Sequence, residues 1–146
     1  MKKKSQRKKF EIIEHTADIG LRAFGKNKKE LFLNAAQGMF SIIADQKPKP
    51  KKGQPEEVKV LVTANNAEEL LVSWLSELLS LADIKRGVAS QIRITKLSGI
   101  ELKASIAFTR LEHNYEAVTE IKAVTYHQLK ITRVNNSWQA EVIFDV

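Results

Sequence analysis

Apolar and polar positions follow two periods along this chain, and the changes from one to the other mark its elements. Residues 10–14, with Phe10, Ile12 and Ile13, have strand character, and 21–25 reads as a second short strand. Asn27 followed three residues later by Glu30 is a capping-box pattern. Leu31, Phe32, Ala35, Ala36, Met39, Phe40 and Ile43 then recur at helical spacing, which predicts an amphipathic helix over 28–44 with those side chains in the core. Residues 46–55 contain all three prolines, a glycine and four lysines, a loop too short to link domains. Val58, Val60 and Val62 share one face of a predicted strand over 57–63. Asn66 and Glu69 repeat the cap pattern. Leu70, Leu71, Trp74, Leu75, Leu78, Leu79 and Ala82 then form a broad stripe on a second helix, ending near Gly87, that should lie against a sheet.

The remainder reads as β. Segments 88–97 and 100–109 flank Ser98-Gly99, a hairpin signal, with Ile100, Leu102, Ala104, Ile106 and Phe108 on one face of the second. An acid- and amide-rich loop over 112–116 follows. Segments 123–133 and 137–144 make a final hairpin around Asn135-Asn136. Strands outnumber helices without strict alternation and no internal repeat is present. The expected fold is therefore α+β: two layers, a mixed or mostly antiparallel β-sheet with two main helices on one face.

Composition adds bounds to this picture. The 146 residues suit one domain, with 43% hydrophobic and 28% charged residues, ordinary for a globular protein. No apolar run approaches the roughly 18 residues that a spanning helix needs. The absence of cysteine excludes disulfides, thiolate metal sites and cysteine nucleophiles. The basic start leads into one strand-like run without a cleavage site and is not read as a secretory signal, so a cytoplasmic protein is expected, with no membrane partner. The net charge of +7 is unevenly placed. Residues 1–9 carry six Lys/Arg and the 46–55 loop four lysines; without those ten, 14 basic residues face 17 acidic ones. The reading is a basic flexible tail over 1–9 and a single domain over 10–146, with any RNA contact indirect or weak and carried by the tail.

Most catalytic signatures are missing. The sequence has no G-x-G-x-x-G, phosphate loop, G-x-S-x-G elbow or H-E-x-x-H. His127 shares strand parity with Leu129 and Ile131, which favours a satisfied core or edge histidine, and His113 lies in the polar loop. His15 and Asp18 differ, because they fall in a strand-to-strand connection where packing does not choose the side chain. A plain turn, with Asp18 capping a backbone N–H and Gly20 supplying permissive dihedrals, explains them equally well. Trp138, Ala140, Val142 and Phe144 share a face of the last strand, which turns Asp145 to the opposite face beside Val146.

Four segments carry a resemblance. His15-Thr16-Ala17-Asp18-Ile19-Gly20, Glu69-Leu70-Leu71-Val72-Ser73-Trp74-Leu75-Ser76-Glu77-Leu78-Leu79, Thr119-Glu120-Ile121-Lys122-Ala123-Val124-Thr125-Tyr126-His127 and Val142-Ile143-Phe144-Asp145-Val146 occur in the order found in the archease family, which the chain resembles from about Phe10 onward. The first and third segments are specific; the tryptophan helix is generic. The chain departs from the family pattern in its lysine-rich first nine residues and in a shorter loop, without an added acid cluster, before Thr119. The resemblance implies an accessory protein rather than an enzyme: an activator of the RtcB-type RNA ligase of tRNA splicing that promotes guanylylation of the ligase histidine and its multiple turnover. It also implies a metal site formed by Asp18, Asp145 and a terminal oxygen of Val146. Such hard oxygen ligands suit Ca²⁺ first, with Mg²⁺ or Mn²⁺ as alternatives, and binding should weaken as pH falls because the carboxylates must be ionised. Two other classes compete: a metal-dependent hydrolase or phosphatase, which lacks a convincing base apart from His15, and an RNA-binding, chaperone-like module that relies on the tail.

Overall fold

The computed structural model describes residues 8–44, 55–111 and 119–146. The chain runs β1 (Phe10–Glu14), β2 (Asp18–Gly25), α1 (Lys28–Ile43), β3 (Glu56–Thr63), α2 (Ala67–Lys85), β4 (Gly87–Leu97), β5 (Glu101–Arg110), β6 (Ala123–Thr125), β7 (Ile131–Val134) and β8 (Ser137–Asp145). The α+β class is as expected. Its strands divide between two sheets, one of five strands ordered β1-β2-β8-β6 with β7 also on β8, and one of three ordered β3-β5-β4. Every strand pairing among the described residues is antiparallel.

Both helices start as their sequences dictate. Asn27 Oδ1 accepts from the Glu30 N–H at 2.8 Å, and the Glu30 carboxylate reaches back to the Lys26 N–H at 3.0 Å. Asn66 and Glu69 repeat this reciprocal cap, at 2.9 Å and at 3.1 Å to the Asn65 N–H. Each cap satisfies donors that the helix itself leaves open. α1 lies mainly on β2, with further contact to β4, β1 and β8; α2 packs on β3, β5, β6 and β4, and the helices touch each other. The Trp74 indole, fully buried on α2, donates to the Phe32 carbonyl of α1 at 3.0 Å, so its polar atom is satisfied inside the apolar core. Asn34, a buried polar side chain on α1, donates to the Phe24 carbonyl at 2.7 Å and ties the helix to β2. Gly38 lets α1 approach closely: a Cβ there would come within 2.6 Å of Leu21 Cδ1. Edge-to-face contact of Phe40 with Phe108, centroids 6.3 Å apart, joins α1 to the second sheet.

The structure revises several boundaries. β2 begins at Asp18 rather than Leu21, so the connection after β1 shrinks to three residues, 15–17. The cause is pairing on both sides, with β1 and with β8. α2 ends near Gly87 as expected, at Lys85, and its left-handed cap is Arg86 at φ 52°. Gly87 serves a different need: it opens β4 where a Cβ would meet the Thr109 carbonyl oxygen at 2.4 Å. Ile100 is 58% exposed in the β4–β5 turn and does not share the buried face of Leu102, Ala104, Ile106 and Phe108. The expected strand over 123–133 is broken in two. A turn closes with the Leu129 N–H on the Tyr126 carbonyl at 3.1 Å, with Gln128 at φ 53°. His127 sits exposed in that turn, so strand parity does not apply and it is neither a core nor an edge-strand residue. Asn135 and Asn136 take φ of 49° and 65°, the paired left-handed conformation of a tight hairpin. His113, the 112–116 loop and nearly all of the 46–55 loop lie outside the described residues, as do residues 1–7 of the basic tail.

Gly87→Ala should lower stability by about 1–3 kcal/mol, because the added methyl meets backbone that cannot rotate away. Urea unfolding followed by circular dichroism measures this, and an unchanged midpoint would mean the β4–β5 approach is looser than described.

Candidate metal centre

The five-stranded sheet covers the helices with one face, carrying Leu21, Ala23, Ala140, Val142 and Phe144 into the core. Its other face carries Asp18, Gly20 and Arg22 from β2, facing Asp145, Ile143 and Glu141 of β8 in register. Antiparallel β2 and β8 therefore bring the two sequence-expected acids to one place: Asp18 is the direct cross-strand partner of Asp145.

Backbone hydrogen bonds define what kind of partners they are. The Asp18 carbonyl accepts from the His15 N–H at 3.1 Å, and the Asp145 carbonyl from the Lys122 N–H at 2.8 Å. Each acid thus turns its peptide groups away from the other, toward β1 and β6. Asp18 and Asp145 form a non-hydrogen-bonded pair, the type with Cα atoms about 4.5 Å apart and the closest side chains. The same two bonds fix the peptide units on either side of the pair, including the one that leads to Val146.

Two like charges directly opposite on adjacent strands repel. Among the described residues neither carboxylate joins an ion pair. Asp18 Oδ1 is buried and has no hydrogen-bond partner, whereas Asp145 is exposed. A buried carboxylate oxygen left without a donor is costly and calls for a cation. Val146 follows at once, half-buried with its side chain against the core. The described residues contain no group of three or more His, Cys, Asp and Glu side chains placed to hold a metal. A third ligand from this neighbourhood would have to be another kind of oxygen, such as one of the backbone. The residues present fit a hard divalent cation.

His15 lies next to Asp18 through its backbone bond and is exposed. Arg22 carries no motif; its only sequence signal is its shared parity with Asp18. On the same face it bridges Glu11 at 3.5 Å and Glu141 at 3.0 Å across three strands. Its charge is thereby engaged two rows away from the acid pair, which keeps that pair uncompensated.

The fold and the carboxylate pair define a class: a small α+β protein with two carboxylates set opposite each other where one strand begins and another ends. Comparison with known proteins then gives the family. The model of the Archease protein family (MTH1598/TM1083) matches residues 10–146. The "Protein archease" of Methanosarcina barkeri is 38% identical over 147 residues, covering 97% of this chain and 99% of that one. Its counterpart in Methanosarcina mazei is 39% identical with the same coverage. The solution structure of a Methanobacterium thermoautotrophicum protein superposes with a TM-score of 0.73 at 29% identity, covering 94% and 99% of the two chains. The crystal structure of a Thermotoga maritima protein, described as an archease and possible chaperone, superposes with a TM-score of 0.63 at 27% identity, covering 97% and 98%. The chain belongs to the archease family.

Asp145→Asn should raise the melting temperature in EDTA by up to about 3 °C by removing the cross-strand repulsion. The same change should abolish the stabilisation that excess Ca²⁺ gives the unchanged protein, on the order of 2–3 kcal/mol at a hundredfold excess over Kd. A variant that melts lower in EDTA, or that Ca²⁺ still stabilises, would contradict the site.

Proposed function

We propose that this protein is an activator of an RtcB-type RNA ligase in tRNA splicing, an accessory factor that promotes guanylylation and turnover of the ligase and is not itself an enzyme. The divalent metal it uses is Ca²⁺ in the first instance, with Mg²⁺ or Mn²⁺ as alternatives, held by Asp18, Asp145 and a terminal oxygen of Val146. Family membership supports the class of function. The observation that carries the site is the register pairing of Asp18 with Asp145, one oxygen of which is buried without a donor.

The chain's own residues suit such a role. The β2–β8 ladder holds both carboxylates before any partner arrives, so little ordering entropy remains to be lost on binding. Asp18, half-buried, supplies the inner anchor, and exposed Asp145 presents the site at the surface. When bound, the cation supplies a Lewis-acidic point with open positions for a carboxylate or phosphate oxygen of the partner. His15 is exposed and bonded through its backbone to Asp18; in this reading it orients the site or contacts the partner and is not a metal ligand.

Asp18→Ala and Asp145→Ala should each abolish stimulation of ligase guanylylation in a multiple-turnover assay with the cognate ligase, with circular dichroism spectra unchanged. Full stimulation by either variant would sink the metal-site account. A tag appended after Val146 should impair stimulation far more than one placed before Met1, because it replaces the terminal carboxylate. Equal metal binding by the two tagged forms would remove Val146 as a ligand through that group.

A further inference from the structure

At the end of the five-stranded sheet remote from the acid pair, Gly25 of β2 faces Trp138 of β8. This is seven residues along the ladder from Asp18 and Asp145, or roughly 23 Å. Beside it a cleft of about 430 Å³ opens between the start of α1 and the β4–β5 turn. Lys28 and Lys29 line one wall, and Lys96 with Thr95 and Ser98 the other. No acidic side chain lines it among the described residues, and Leu97 is its one apolar side chain.

The cations are held in place rather than merely present. The Lys28 ammonium sits 4.9 Å from the centroid of the Trp138 ring, with the Arg133 guanidinium 5.7 Å from the same centroid. Lys96 is the direct cross-strand partner of Lys103, a like-charge pair that extends the basic lining onto the outer face of the second sheet. One row further along that face, Arg93 lies opposite Ser105, whose hydroxyl donates to the Glu57 carboxylate at 2.6 Å. The acids nearby are occupied at its margin. Glu30 accepts from the Lys26 N–H at 3.0 Å, and Glu101 pairs with Lys96 at 2.8 Å. The hydrogen bond and charge of Lys96, followed by the charge of Lys103, hold the Glu101 carboxyl below its usual range. Lys29 has no acidic partner among the described residues.

We propose that this cleft binds the phosphodiester backbone of a single-stranded nucleic acid, independently of the acid pair at the far end of the sheet. Rows of the same sheet face are about 6.6 Å apart, so the cations from Lys29 through Lys96 and Lys103 to Arg93 form a track, which suits a polyanion better than one phosphate. Lysines act as point charges on phosphate, and they carry the contact here, because the Thr95 and Ser98 hydroxyls already donate to the Lys103 and Glu101 carbonyls. An acidic protein surface is the poorer fit, because the cleft offers no aromatic or large aliphatic pocket for an anchoring side chain. The placement also departs from the expectation that RNA contact is confined to the tail. The body is acidic as a whole, yet it gathers cations here.

The test is fluorescence anisotropy of a labelled single-stranded RNA with the full chain, in EDTA and without any ligase, so its result does not depend on the ligase-activation reading. The double variant Lys29→Glu/Lys96→Glu is compared with a charge-matched control, Arg110→Glu/Lys130→Glu, on exposed residues elsewhere. The cleft variant should lose at least about tenfold in affinity and the control less than about twofold, and the slope of log K against log salt should become shallower by about 1.4, two contacts at roughly 0.7 each. Single-stranded DNA of the same sequence should show the same lysine dependence. If circular dichroism shows the charge-reversed variant unfolded, Lys29→Gln/Lys96→Gln replaces it, with about a threefold loss expected. Equal losses in cleft variant and control would overturn the proposal, as would no loss in either. Polyglutamate that displaces RNA more effectively than unlabelled RNA does would also overturn it and assign the cleft to an acidic peptide.

Discussion

The antiparallel ladder between β2 and β8 is the constraint on which the rest depends. It joins a strand near the start of the chain to the last strand, and its register runs without a break from Asp18 opposite Asp145 to Gly25 opposite Trp138. One face of the ladder is filled with Leu21, Ala23, Ala140, Val142 and Phe144 and anchors α1. A slip of one residue would turn that entire set outward, so core burial fixes the register. The same register sets two carboxylates against each other on the opposite face. The hydrophobic effect thus pays for the placement of a repulsive pair, which a cation can then turn to use.

Electrostatics divides the sheet along its length. At one end are Asp18 and Asp145, with Arg22 occupied by Glu11 and Glu141 and so unavailable to neutralise them. At the other are Trp138 with its two cations and the lysine-lined cleft. The ends are separated by about three Debye lengths at physiological salt, roughly 8 Å each, so the charges at one end are largely screened from those at the other.

Much of the fold is legible in the sequence. The two capping boxes, the tryptophan stripe of α2 and the Asn135-Asn136 turn are local signals, and local physics decides them. Boundaries set by pairing are less so. Asp18 belongs to β2 because β1 and β8 both bond alongside it, a fact of tertiary structure that no window of sequence contains. His127 follows the same logic in reverse: strand parity suggests burial, but the Tyr126–Leu129 turn breaks the strand beneath it. Of the site, strand parity gives the face of Asp145 and the motif gives Asp18, while their direct opposition emerges only from the register. The basic cleft has no sequence signal at all. Lys28 and Lys96 are ordinary surface lysines until the β4–β5 turn is brought beside α1.

Binding of a divalent cation by the Asp18–Asp145 pair is the property that decides the role of this ladder. Calorimetric titration of Ca²⁺ into the metal-free protein measures this directly, with Asp18→Asn as the comparison. One site per chain is expected in the unchanged protein, with its heat absent from the variant. Titrations that are indistinguishable between the two proteins, or no binding to the unchanged protein by Ca²⁺, Mg²⁺ or Mn²⁺, would contradict the central claim.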